Sequence, residues 1–154
     1  MKIIKDKPDT NKKENEYPLI PLREMIIFPL MQKTFYVGRY DSIESVKLSL
    51  SDYDKTIFLA TQTESEIENP EEDDIYSIGT IFEIKKISPG PDRNIMKIHI
   101  NALYRAEIKK YYNDNGFKKV IVEKIEPHKL DDIVKSEMLY SLIIKDFKKF
   151  TKYY

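Results

Sequence analysis

The chain has 154 residues, which is the length of one domain or of a domain with part of a second, and its 26 basic and 26 acidic side chains cancel. A chain of this length buries enough surface for a real core, and its balanced charge creates no overall field that would steer it to nucleic acid. It contains no cysteine, which excludes disulfides, thiolate nucleophiles and cysteine metal sites.

The N-terminal segments predict a polar tail followed by β structure. Residues 1–16 lack the continuous apolar run of a signal peptide, so we expect a polar, mobile lead-in. Tyr17–Arg39 contains three prolines, and because proline lacks a backbone donor its residues Leu19, Ile20 and Leu22 fit an edge strand or its approach. Its apolar runs Met25–Phe28 and Thr34–Val37 are rich in residues that favour strands.

A helix, a buried strand and an acidic loop are predicted next. Asp41 and Glu44 have the spacing of a capping box, and apolar residues then recur with helical period, which predicts a short amphipathic helix over Ser42–Ser51. Thr56–Thr61 is a compact apolar run typical of a strand buried on both faces. Glu64–Asp74 carries seven acids and no base, which predicts a solvated loop.

Three further segments predict an antiparallel meander. Tyr76–Ile87 has strand composition, and Ser88–Asp92 has the composition of a turn. Apolar and polar residues alternate over Met96–Ala102, as in a half-buried strand. A second turn at Asn113–Gly116 precedes a third strand, Phe117–Ile125.

The C-terminal segment predicts an amphipathic helix from about Asp131 to the last residue. Its apolar side chains share one stripe with helical period and are separated by lysines: Leu139, Ile143, Phe147, Phe150 and Tyr154. No cap or stop signal follows, so we expect the chain to be a fragment of a longer protein whose other parts cover this stripe.

The order of several local motifs resembles the N-terminal domain of Lon proteases, ATP-dependent machines that degrade damaged proteins. P-L-I-P-L-R at Pro18–Arg23 and F-Y-V-G-R at Phe35–Arg39 precede the predicted helix. The acidic loop contains Asn69-Pro70, and D-I-Y-S-I-G-T-I follows at Asp74–Ile81. The strand Lys97–Ile108 occupies the place of a further family element.

This resemblance implies an α+β fold. It places a mostly antiparallel, PUA-like β-barrel or sheet with one short helix at residues 17–126, and the start of an α-helical subdomain at residues 127–154. It also implies a cytoplasmic protein that recognises unfolded or damaged proteins and helps to organise a hexamer with other Lon subunits. ATP, magnesium and serine protease chemistry would belong to the rest of the protein, with no catalytic residue, cofactor or membrane contact in this chain.

No local motif for catalysis or metal binding stands in the sequence. None of the four glycines belongs to a phosphate loop G-x-x-x-x-G-K-[ST], and no G-x-S-x-G elbow is present. His99 and His128 lack the spacing of zinc ligands, which favours solvent-facing side chains. The acidic loop Glu64–Asp74 lacks the alternation and central glycine of a calcium loop.

Binding of unfolded polypeptide requires exposed apolar side chains on a rigid scaffold. Phe28, Leu30 and Met31 lie in a connection between two apolar runs, where exposure is expected, and Tyr76 and Tyr104 are further candidates. Packing of Leu30 and Met31 into the core is the competing interpretation.

Two other functions remain open at this stage. One is a stand-alone adaptor built on a Lon-type domain. The other is an RNA-binding module, because PUA-like folds bind RNA, although zero net charge makes nucleic acid an unfavoured partner.

Overall fold

The computed structural model describes residues 15–114, 117–127 and 133–151. The elements, in chain order, are β1 (Glu16–Leu22), β2 (Gln32–Val37), α1 (Tyr40–Asp52), β3 (Thr56–Thr61), β4 (Ile78–Pro89), β5 (Met96–Asp114), β6 (Phe117–Lys124) and α2 (Ile133–Phe150). The acidic segment contains a 3-10 turn at Glu72–Asp74 and is otherwise mostly exposed. Almost all of the predicted lead-in lies outside the described residues, and the domain boundaries stay a prediction.

The strands form one six-stranded sheet that curls back on itself. Their order is β2-β5-β4-β3-β1-β6, and β6 also pairs with β5, so five of the strands are joined in a cycle. The β1–β3 pair is parallel and the other pairs are antiparallel. The predicted α+β class, the strand Thr56–Thr61 and the β4-β5-β6 meander are therefore confirmed.

Curvature is introduced by irregularities along the long strand β5. The ladder to β4 skips Leu103 on β5 and Lys85 on β4, and the ladder to β6 skips Lys109. Each extra residue bends the strand and increases its local twist. These bulges let the 19 residues of β5 pair with β2, β4 and β6 in turn.

Two apolar clusters pack on opposite faces of the sheet, because Ile57 and Leu59 of β3 belong to the first and Phe58 and Ala60 to the second. The first is built mainly from β3, β4 and β5, and α1 covers it with Val46. The second lies around Phe58 and includes residues of β1, β5 and β6. Ser45 of α1 donates a hydrogen bond from its buried hydroxyl to the carbonyl oxygen of Leu19, 2.9 Å away, and this bond joins the helix to β1. The core therefore holds α1 and the strands in one unit.

The prediction that the proline-rich strand lies at a sheet edge is wrong, because β1 has neighbours on both sides. Its first residues, 16–18, pair with β6, and residues 19–22 pair with β3. The two ladders are staggered, so each half of β1 has one paired flank and the prolines are tolerated on the other. The strand at the end of the order is β2. The apolar run Met25–Phe28 is not a strand but part of the connection between β1 and β2.

The predicted capping box of the first helix is also absent. The helix begins at Tyr40 rather than Ser42, and its N-cap residue, Arg39, makes no side-chain capping bond. Asp41 instead accepts a hydrogen bond from Lys118 of β6, with 3.0 Å between Oδ2 and Nζ. Lys118 is 3% exposed, and a buried ammonium group requires a carboxylate partner. This tertiary ion pair therefore outweighs the local capping interaction.

The second helix, α2, follows the predicted periodicity over its described length. Most of its side chains are exposed, including the apolar side chains Leu139, Ile143, Phe147 and Phe150 of the predicted stripe. Tyr154, the last residue of that stripe, lies outside the described residues. Neither helix of the described ranges has the length and hydropathy required to cross a bilayer.

We predict that Gly79→Ala destabilises the fold, whereas Gly38→Ala does not. A Cβ atom at position 79 would overlap the Leu59 carbonyl oxygen and would lie 2.5 Å from Cζ of the buried Phe58. At position 38 the nearest atom is Ile95 Cγ1 at 3.5 Å, an ordinary contact. Urea unfolding should show a loss of about 1–3 kcal/mol for Gly79→Ala and a change below about 0.5 kcal/mol for Gly38→Ala. Equal losses would show that the strand packing around Gly79 is not as tight as described.

Candidate functional site

The connection between β1 and β2, residues 23–31, presents apolar side chains to solvent and is called the apolar loop below. Its side chains alternate in exposure: Met25 packs against the core and Ile27 is buried, whereas Ile26 is 69% exposed and Phe28 is 57% exposed. The buried members anchor the loop to the first core cluster. The loop therefore combines a buried face with an exposed apolar face.

Two threonine hydroxyls hold the backbone of the apolar loop. Thr61 of β3 donates a hydrogen bond to the carbonyl oxygen of Met25 at 2.6 Å, and Thr80 of β4 donates one to that of Ile27 at 2.9 Å. Because Thr80 is buried, its bond satisfies a carbonyl group that water reaches poorly. These bonds fix the direction in which the exposed side chains point.

The end of the apolar loop is joined to the bulge of β5. The N–H of Leu30 donates a hydrogen bond to the Ala102 carbonyl oxygen at 3.1 Å. The N–H of Ala102 donates one to the Met31 carbonyl oxygen at 2.8 Å. Leu103, the extra residue in the β5 ladder, directly follows this attachment. The loop is thus held by β3, β4 and β5 together.

Leu30 occupies a strained position at the tip of the loop. Residues 28–31 form a turn with Pro29 in its second position, closed by a bond of 3.3 Å from the Met31 N–H to the Phe28 carbonyl oxygen. Leu30 has φ of 67°, a left-handed value that such turns usually assign to glycine or asparagine. For a side chain with a Cβ this conformation costs about 1–2 kcal/mol. Leu30 is nevertheless 91% exposed, so intramolecular packing does not account for it.

A neighbouring side chain on β4 extends the exposed apolar surface. Ile78 is 44% exposed, and it lines a recess of about 60 Å³ together with Ile26, Phe28 and Arg105. We name this surface the apolar face, formed by Ile26, Phe28, Leu30, Met31 and Ile78. The recess accepts little more than a small side chain, so the face suits contact with chain segments better than capture of a small molecule.

The structure brings together three of the five residues expected from the sequence. Phe28, Leu30 and Met31 share the apolar loop, and their exposure contradicts core packing of Leu30 and Met31. Tyr76 is exposed where the chain approaches β4, two residues before Ile78. Tyr104 is half-buried and packs against the second core cluster instead.

Tyr104 contacts other side chains of the domain. Its hydroxyl lies 3.0 Å from that of Tyr17, and Lys124 Nζ lies 5.5 Å from the centre of its ring. Burial, followed by this hydrogen bond, raises the pKa of Tyr17. The Tyr17 hydroxyl therefore stays protonated near neutral pH, and its contact with Tyr104 joins β1 to β5.

Sequence reasoning missed Ile26 and Ile78. The alternation within Met25–Phe28 contained a signal for Ile26, because a residue two positions before an exposed Phe28 points to the same side of an extended chain. No comparable local signal marked Ile78, which reaches the face only because β4 passes beneath the loop. Within residues 15–114, 117–127 and 133–151, no three His, Asp or Glu side chains lie close enough to hold a metal ion.

An exposed apolar face on a rigid β-rich scaffold is typical of the class of domains that make contacts with other molecules. Residues 16–154 match the family described as the ATP-dependent protease La (LON) substrate-binding domain. The chain is 35% identical over 142 residues to a Lon protease of Clostridium acetobutylicum, covering 92% of this chain and 18% of that protein. It is 36% identical over 138 residues to a Lon protease of Syntrophomonas wolfei, covering 90% and 16%. The chain belongs to the LON substrate-binding domain family.

Solved structures show the same fold. The N-terminal domain of a Mycobacterium avium complex Lon protease matches with a TM-score of 0.62 at 15% identity, over 90% of this chain and 73% of that one. A Lon N-terminal domain protein from Xanthomonas campestris matches with a TM-score of 0.61 at 16% identity, over 85% and 72%. The chain spans less than a fifth of the length of the Lon proteases named above.

We predict that Thr80→Val loosens the apolar loop. The substitution keeps the shape of the side chain but leaves the Ile27 carbonyl oxygen without its donor, at a cost of about 1–3 kcal/mol in the free energy of unfolding. Amide hydrogen exchange at Leu30, whose N–H bonds to Ala102, should become faster. The matched control is Thr63→Val, an exposed threonine at which a change below about 0.5 kcal/mol is expected. Unchanged exchange at Leu30 in Thr80→Val would contradict a pinned loop.

Proposed function

We propose that this chain recognises unfolded or damaged proteins by binding their apolar segments on the apolar face. The family description supports a substrate-binding role. Unfolded chains expose apolar side chains that folded proteins bury, and a surface of adaptable side chains such as Met31 and Phe28 accommodates many sequences. The ligand is therefore defined by its exposed apolar groups rather than by one sequence.

Leu30 is the observation that carries this proposal. It combines a left-handed backbone conformation with an almost fully exposed apolar side chain, and both features cost free energy in the isolated domain. Glycine or asparagine at this turn position would avoid both costs. A leucine at this position gains stabilising contacts when a second apolar surface covers it.

The rest of the proposal concerns the longer protein of which this domain would form the N-terminal part. That protein is an ATP-dependent serine protease, cytoplasmic, which assembles as a hexamer of Lon subunits and binds ATP and magnesium outside this chain. This chain supplies recognition and subunit organisation without catalysis. The curated relatives, which carry the name Lon protease and are far longer, support this arrangement.

We predict that Leu30→Asn weakens binding of an unfolded protein without destabilising the domain. Asparagine tolerates positive φ, so the free energy of unfolding should stay the same or rise by up to about 1–2 kcal/mol. Affinity for reduced, carboxymethylated lactalbumin, measured by fluorescence anisotropy, should fall about tenfold.

The control for this prediction is Leu50→Asn, which removes an exposed leucine of α1 that lies outside the apolar face. It should leave the affinity within about twofold of the parent chain. An equal loss of affinity in both variants would show that general surface hydrophobicity, not the apolar face, drives binding. Failure of the parent chain to bind the unfolded lactalbumin would refute the recognition role.

A further inference from the structure

The strand that follows the apolar loop has one unpaired flank. Within residues 15–114, 117–127 and 133–151, β2 pairs with β5 alone and ends the strand order. No backbone hydrogen bond from another described segment reaches its outer flank. A free strand edge is a row of donors and acceptors that matches the backbone of another extended chain.

The alternation of the ladder identifies the residues on that outer flank. Ala102 donates its N–H to Met31, and antiparallel ladders bond at every second residue, so Lys33, Phe35 and Val37 face β5. The intervening residues direct their N–H and C=O groups outward: Gln32, Thr34 and Tyr36. The Thr34 side chain is held on the sheet surface, because its hydroxyl lies 2.7 Å from His99 Nδ1.

A groove runs beside this edge. It lies between the end of β1 and β2, has a volume of about 480 Å³, and includes Leu22, Met25 and Phe35 in its lining. Two arginines, Arg23 and Arg39, also line it, and among the described residues no acidic side chain does. The groove is therefore apolar along its length and cationic where the arginines stand.

Arg39 has an unused donor in this region. Its Nη2 donates to Gln62 Oε1 at 2.7 Å, whereas its buried Nη1 has no hydrogen-bond partner among the described residues. Burial, and then the repulsion from Arg23, lower the pKa of Arg39, while Glu68 and Asp41 act in the opposite direction. An acidic side chain entering the groove would offset the repulsion between the two arginines.

We propose that an extended segment of unfolded polypeptide binds along this edge as an added antiparallel or parallel strand, with an acidic side chain placed between Arg23 and Arg39. The inference rests on the proposed recognition of unfolded proteins and specifies how their backbone is held. Met31 of the apolar face directly precedes Gln32, the first residue of β2. One bound segment therefore contacts both the apolar face and the edge of β2. Backbone pairing is independent of side-chain identity, which suits a domain that must accept many sequences.

The first test compares Thr34→Pro with Thr34→Ala in the full 154-residue chain. Both variants lose the hydroxyl that contacts His99, but only proline removes the outward N–H. Reduced, carboxymethylated lactalbumin should bind Thr34→Ala as it binds the parent chain and Thr34→Pro about tenfold more weakly. Equal affinities of the two variants would overturn the added strand.

The second test needs no substitution and stands even if Thr34→Pro fails to fold. A short synthetic peptide of alternating valine and threonine with one terminal glutamate is added to the parent chain. Amide exchange at Gln32, Thr34 and Tyr36 should slow about tenfold, whereas Lys33, Phe35 and Val37 are already protected by β5. Peptide binding without slower exchange at the outward amides would overturn the proposal.

The charge requirement is tested by changing the peptide and the groove together. On the parent chain, the glutamine form of the peptide should bind about threefold or more weakly than the glutamate form. On the Arg23→Gln variant, the two forms of the peptide should bind with the same affinity. Equal weakening in both would exclude the arginine contact.

These outcomes separate the two proposals. Loss of lactalbumin binding in Leu30→Asn with normal binding in Thr34→Pro retains recognition and removes the added strand. Absence of binding to the parent chain removes both.

Discussion

The long, bulged strand β5 is the element on which the rest of the structure depends. It pairs with β2, β4 and β6, and its bulges let one strand follow the bend that closes the cycle of paired strands. The same bulge region near Ala102 receives the apolar loop. The curvature of the sheet and the position of the apolar face therefore share one cause.

The apolar face shows how exposure and rigidity are combined. An apolar segment that is free to move would collapse onto the nearest apolar surface, because burial of its side chains is favourable. Here the backbone is held by the hydroxyls of Thr61 and Thr80 and by the ladder at Ala102, so Ile26 and Phe28 stay outward. The fold thus maintains a surface that the free energy of the isolated chain disfavours.

Partly buried polar contacts join α1 and its N-cap residue, Arg39, to the sheet. Lys118 pairs with Asp41, and Arg39 bonds to Gln62, which in turn donates to the carbonyl oxygens of Glu64 and Ile67. These contacts hold α1 and the acidic segment against the strands. They also position the guanidinium group of Arg39 near the unpaired edge of β2. Its Nη1 atom has no hydrogen-bond partner among the described residues.

Composition and periodicity by themselves determined the strand Thr56–Thr61, the meander and the helical C-terminal segment, because those signals reside in local alternation and turn residues. The ordered motifs determined the family and, through it, the α+β class. Only the tertiary structure decided that β1 has two neighbours, that Asp41 pairs with Lys118 instead of capping the helix, and that Ile78 lines one recess with Ile26 and Phe28. Those features depend on pairings between residues far apart in the chain, where a buried charge or a staggered ladder outweighs what each segment favours locally.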